Sequence, residues 1–308
     1  MLRSILVALI VLIPLYIVSP AGAQTPVFDA DFFKVVNAEL KEKPQLAAWG
    51  DVKNLRASTF YTGVSATLGG MLTSGLSQSK CFKKLTIADI DHALLLASDL
   101  DGGASERGYL AITGNLDATV VLKCLAAEQS WTTTTLKNYP AYQSGSGTVK
   151  SYVYAVGNDA IVLVAGDWAS KIDPGKNVLG AGKLVGFAKA RVMAIQLDKA
   201  PKGSDFKSMQ GELKAGTELD FSGSVTFLKE RKALELEKNL DALKKQGTGA
   251  GLTFANTLKV TRTKTRLDGT MKMTSPEFVV VMSLLNSALF GNQPPATPPP
   301  PKKNNAQP

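Results

Sequence analysis

The sequence predicts an α+β protein: two similar lobes of antiparallel strands with packed helices, each ordered strands–helix–hairpin, followed by a disordered Pro-rich C-terminal tail. Three observations carry this. Period-two apolar segments alternate with Gly, Asn and Asp turn signals, and two amphipathic helices interrupt them. The same order of elements then recurs in segments of similar size, 45–168 and 169–291. The two segments share no residue-level identity, so the tandem repeat is one of topology. The alternative is a single curved antiparallel sheet, with helices on one face, shared by both halves.

Residues 1–23 read as a signal peptide. Arg3 supplies a positive start, Ser4 to Val18 are almost wholly apolar, and Ala21-Gly22-Ala23 offers the small-x-small pattern of a cleavage site. The apolar run is short of the roughly 20 residues that span a bilayer, and Pro14 interrupts it. The expectation is a periplasmic or secreted protein with no transmembrane span after cleavage.

Residues 24–44 contain an N-terminal helix, Asp29 to Leu40, with Phe32, Val35, Val36 and Leu40 on one side and Asp29 or Asp31 as cap. Leu46–Val52 is a short strand. Leu55–Ser79 permits a helix that Gly69, Gly70 and Gly75 weaken. Ile90–Ser98 and Gly108–Thr113 form a hairpin around Asp101-Gly-Gly103. Leu116–Glu128 is a helix with Val120, Val121, Cys124 and Leu125 as its stripe and Asn115 or Asp117 as cap. A loop containing Tyr139 and Pro140 leads to Val149–Val156, which turns at Gly157-Asn158 into Ile161–Ala165.

In the second segment, Ala190–Leu197 and Thr217–Leu228 are strands. Lys229–Gln246 is the strongest helix, with Ala233, Leu236, Leu240 and Leu243 in register and Gly247, Gly249 and Gly251 to end it. Leu258–Arg266 and Thr270–Thr274 are expected to pair across Asp268-Gly269. Ser275-Pro276 opens a last helix that Gly291 stops. Residues 292–308 hold seven prolines and no large apolar side chain, so they cannot offset chain entropy by burial.

At 44% hydrophobic and 20% charged, the chain can bury a real core. The net charge of +9 divides unevenly. Residues 24–170 carry 12 Lys/Arg against 14 Asp/Glu, whereas 171–291 carry 20 against 12. A basic second lobe outside the cytoplasm implies attraction to lipid headgroups or acidic polymers rather than to nucleic acid. Its sharpest feature is Arg262, Lys264 and Arg266, which alternation within one strand sets on one face as a candidate docking stripe for an anionic surface.

Catalytic motifs are scarce. His92, the single histidine, falls beside Ile90, Leu94 and Leu96 and reads as a core or edge residue; it lacks the partners a zinc site requires. Cys81 and Cys124 are the two cysteines, and an oxidising compartment predicts a disulfide between them. Ser77-Gln-Ser-Lys80 and Ser204-Asp-Phe-Lys207 match a Ser-x-x-Lys spacing without its companion elements. Gly175 to Lys183 lacks phosphate-loop spacing and reads as a connection between the halves. The pairs Asp89/Asp91 and Asp99/Asp101 could flank a sugar bond or hold calcium, but Asp99-Leu-Asp101-Gly-Gly lacks the remaining ligand spacing of a calcium loop and fits a hairpin turn better.

The function expected is therefore an exported, non-enzymatic binding or interaction protein of the envelope or extracellular space, without metal or cofactor. Its partner is expected to be a protein or an anionic envelope component. A periplasmic carrier of a hydrophobic or lipid ligand is the alternative, and a carboxylate hydrolase the third reading.

Overall fold

In the computed structural model of the chain, residues 27–28, 30–76, 79–82, 85–101, 106–144, 149–176, 192–249 and 251–280 are described, the side chains of 70–76 and 82 excepted. The expected leader, the expected connection within 177–191, most of the expected last helix and the Pro-rich segment lie outside them.

The chain opens with α1 (Ala30–Leu40), whose Phe32, Val36 and Leu40 are fully buried. At roughly 2 kcal/mol for each such side chain, this one face anchors the helix. It stops where Lys41 turns left-handed, at φ 60°, and the Lys41 Nζ donates to Ala38 O at 2.7 Å. β1 (Leu46–Asp51) then leads into α2 (Val52–Ala57) and α3 (Thr59–Leu76). The ambiguous stretch is thus helical, with Gly63 set against Ser275, where a Cβ would come within 2.5 Å.

β2 (Ile90–Ser98) and β3 (Arg107–Gly114) pair as expected, and α4 (Ala118–Glu128) follows. The stripe of α4 is rotated from the expected one: Val121, Leu122, Leu125 and Ala126 are buried, while Val120 is 59% exposed. Asp117 occupies the cap position in a left-handed conformation without a capping side-chain bond. The stretch taken as a loop is a hairpin, β4 (Thr132–Leu136) and β5 (Tyr139–Ser144). Its two-residue turn has positive φ at both Lys137 and Asn138, which suits the right-handed twist of the strands. Four successive threonines favour a strand through their β-branching. β6 (Ser151–Val156), β7 (Ala160–Ala165) and the short α5 (Trp168–Lys171) complete the first half.

The second half comprises β8 (Met193–Leu197), β9 (Phe206–Ala215), β10 (Leu219–Phe227), α6 (Glu230–Gly249), α7 (Thr253–Thr257), β11 (Lys259–Thr263) and β12 (Arg266–Met273); residues 275–280 begin the last helix. β9 was not expected. α6 also runs through Gly247, where a Cβ would lie 2.8 Å from that of Ala255, so the glycine admits α7 rather than ending the helix.

All the strands form one twelve-stranded antiparallel sheet, ordered β11-β12-β10-β9-β8-β1-β2-β3-β7-β6-β5-β4. The pairing of β1 with β8, from Leu46↔Leu197 to Gly50↔Met193, carries it from one half into the other. Alternation divides each strand between two faces. One face presents Trp49, Leu94, Leu96, Tyr109, Val162 and Val164 beneath α1 and Trp168. On the other, α4 covers Val153 and packs against Ile161 and Leu163, while Phe60 of α3 and Phe254 of α7 cover Leu219, Phe221, Met271 and Met273. Between them lies an apolar strip of Leu46, Leu95, Ala97, Leu110, Ile195 and Leu197.

Candidate functional site

Cys81 and Cys124 form a disulfide, with their Cα atoms 5.5 Å apart. It ties a single 3-10 turn to α4, and Glu128 strengthens the join by accepting bonds from Ser79 Oγ and from Lys80 N at 3.1 Å. The hydrogen bond from Ser79, then that from Lys80, holds the Glu128 carboxyl below its ordinary range. The oxidised pair has no thiolate to offer as a nucleophile.

His92 sits on β2 opposite Asp51 of β1 and Thr113 of β3. Its ring stacks on Trp49 at 5.2 Å, and Nδ1 meets Thr113 Oγ1 at 3.2 Å. Nε2 lies 3.7 Å from Asp51 Oδ1, but that carboxylate already caps α2 by accepting from Asn54 N and Nδ2, both at 2.8 Å. Burial lowers the imidazole's pKa, against the opposing pull of Asp51 and Asp91. These contacts match a satisfied core histidine.

The carboxylate pairs do not converge. Asp89 closes a capping box with Thr86, and Asp91 pairs with Arg56 at 2.8 Å. Asp101 accepts from Lys202 N, whose Nζ lies 3.8 Å from its other oxygen. Asp99 enters a network missed in the sequence: Arg107 reaches Glu42 at 2.6 Å, Asp99 at 2.5 Å and Asp167 at 3.6 Å, while Lys171 reaches Asp167 at 3.1 Å and Glu42 at 3.2 Å. Burial disfavours the Lys171 ammonium, yet its bonds to Asp167 and Glu42 raise its pKa overall. Gly166 makes room for this clamp, because at φ 71° a Cβ would come within 2.5 Å of Glu106 O. No grouping of three or more metal-ligating side chains occurs among the described residues.

A second unforeseen acid is Glu277, 7% exposed. It accepts from Thr253 Oγ1 and Phe254 N at 2.7 Å each, and from Thr274 N and Oγ1 at 2.9 and 2.7 Å. Burial pushes its pKa up, but these four bonds win and bring it down to about 2. The carboxylate thereby staples the start of α7 to the start of the last helix.

The three basic candidates do not form a stripe. The hairpin turns at Lys264-Thr265, with Lys264 at φ 54°, rather than at Asp268-Gly269. Arg262 therefore opposes Leu267, and Arg266 opposes Thr263, which sets the two arginines on opposite faces. Arg262 is held by Glu237 at 2.6 Å and Glu230 at 2.9 Å. Arg266 is bound to Asp268, at 2.7 Å from Nη2 and 2.8 Å from Nε. Lys264 alone of the three is exposed without an ion pair.

The chain is thus a mixed helix-and-strand protein with an antiparallel sheet, and no described helix is long and apolar enough to cross a membrane. No family model matches it, and no curated protein matches it in sequence. Among solved structures it is similar to crystal form I of TP0453, at 9% identity and a TM-score of 0.40, covering 80% of this chain and 96% of that one. Crystal form IV of TP0453 gives 10% identity and a TM-score of 0.38, covering 80% and 95%.

Proposed function

We propose that this chain is an exported, non-enzymatic binding protein of the cell envelope or extracellular space, engaging an anionic component through its basic second half. One observation carries the reading: the acids and the histidine that could do chemistry are each tied to a neighbour in a capping or ion-pair role, while net positive charge accumulates on one half. The disulfide and the absence of a membrane-spanning helix among the described residues are compatible with export. The hydrolase reading has less support, since the paired aspartates lack a common focus. Affinity capture from envelope fractions, read by mass spectrometry of bound lipid, polymer and protein, tests the proposal. Recovery of one anionic component supports it; recovery of none, from extracts rich in such components, sinks it.

A hydrophobic-ligand carrier is the second reading. Two features favour it. Every described member of the apolar strip comes from a strand or the turn beside it, none from a helix. Gly211, Gly223 and Gly269, all buried, then lie side by side on β9, β10 and β12, where the sheet carries no side chains of its own. Native mass spectrometry of purified protein would retire this reading if no acyl ligand is retained.

The two-lobe arrangement belongs here as well. In each half the first three strands are adjacent, and the last strand of the half returns beside the third, β7 next to β3 and β12 next to β10. Hydrogen exchange resolving two cooperative units would support separate lobes; one unit would contradict them.

A further inference from the structure

α6 is the longest helix among the described residues, yet of its 20 residues only Ala233 and Gly247 are buried. Its glutamates are engaged in ion pairs. Glu230 and Glu237 hold Arg262, and Glu235 holds Lys232 at 3.4 Å. Arg231, Lys238 and Lys245 are all exposed and in no ion pair among the described residues. Steps of seven residues bring them onto one line along the helix, about 21 Å from end to end. Leu234, 36% exposed, lies on the same flank between Arg231 and Lys238. Two exposed carboxylates border the line, Glu235, which is paired with Lys232, and Asp241.

We propose that this outer stripe of α6 docks the protein on anionic phospholipid headgroups. The inference rests on the reading of the chain as a binding protein for an anionic component, and it moves the contact away from Arg262 and Arg266, whose guanidinium groups are occupied. A line of cations about 10 Å apart fits a surface of closely spaced phosphates better than a single bound ion. The exposed leucine among long basic side chains selects lipid over a soluble polyanion. At a membrane Leu234 can enter the headgroup–acyl boundary while the lysines lay their methylenes along it, whereas a hydrated polymer offers it nothing.

The test is flotation of the full chain with vesicles of phosphatidylglycerol and phosphatidylcholine, against phosphatidylcholine alone. Each cation removed is expected to weaken partitioning roughly fivefold, so Lys238→Gln with Lys245→Gln should weaken it about 25-fold. Removing the same charge elsewhere, by Lys207→Gln with Lys272→Gln, should leave most of the binding. Leu234→Ser should reduce vesicle binding and leave any binding to a soluble anionic polysaccharide unchanged. Wild-type binding that the α6 variants do not weaken beyond the sheet-lysine control overturns the stripe while the anionic-component reading stands. Binding to the polysaccharide but not to the vesicles overturns the lipid assignment. Binding to neither overturns the stripe and the wider reading together.

Discussion

Replacing Glu277 with glutamine should cost about 2–3 kcal/mol at neutral pH, although one atom type changes and the shape does not. In the native protein both carboxylate oxygens accept two bonds, one pair from Thr253 and Phe254 and the other from Thr274. An amide must turn its NH2 toward one of those pairs, setting donor against donor in a buried place. Two charge-assisted bonds are lost and buried donors are stranded, which accounts for the magnitude. The pH dependence follows from the depressed pKa. A carboxyl near 2 when folded and near 4.5 when unfolded contributes stability that is complete above the ordinary carboxyl range and lost as pH falls toward 2. That difference corresponds to about 3 kcal/mol. Urea denaturation followed by circular dichroism at pH 7 and pH 3 separates the two proteins. Glu277→Gln should show both a lower stability at pH 7 and a shallower loss on acidification. Equal stabilities at pH 7, or parallel losses down to pH 3, would refute the reasoning.

Other perturbations have defined outcomes. Reducing Cys81–Cys124, or replacing both residues by serine, should lower stability by about 4 kcal/mol, the chain entropy released by opening a separation of 43 residues; an unchanged melting temperature in reductant would contradict this. Arg107→Met leaves Glu42 and Asp167 to Lys171 and strips Asp99 of its ion pair, so it should cost roughly 1–2 kcal/mol, with a double-mutant cycle against Glu42→Gln giving a coupling energy clearly above zero. The imidazole of His92 should titrate below the ordinary histidine value by NMR. Because its folded pKa is lowered, stability falls as pH drops below about 6.5, and His92→Gln should flatten that region of the curve. Gly166→Ala meets both a positive φ and the Glu106 carbonyl, so thermal denaturation should show a loss of about 1–3 kcal/mol.

Regular elements with a strong period were readable from the residues: α1, the β2–β3 pair, the Gly157-Asn158 hairpin and α6 all stand close to their expected positions. What escaped depended on information that period does not hold. Thr132–Leu136 alternates little in hydrophobicity, and only its β-branching marked it as a strand. In the last hairpin two turn signals competed, and Lys264 took the left-handed turn although Asp268-Gly269 is the commoner dipeptide. That two-residue choice dispersed the basic stripe, because shifting the turn puts alternate residues on opposite faces. Arg107 and Glu277 owe decisive partners to residues distant in the chain, Glu42 for the one and Phe254 for the other, which their local sequence does not announce. The pairing of Cys81 with Cys124 was legible from their number, given an expected oxidising compartment.

The most direct measurement of the central claim is the salt dependence of vesicle binding. Wild-type protein should partition onto phosphatidylglycerol-containing vesicles at low salt and be released as ionic strength rises, because the Debye length contracts from about 30 Å at 0.01 M to about 8 Å at 0.15 M and screens exposed lysines. The account predicts strong binding at the lower salt, progressive loss at the higher, and little binding to phosphatidylcholine at either. Binding that ignores both headgroup charge and salt, or no binding at all, would contradict it.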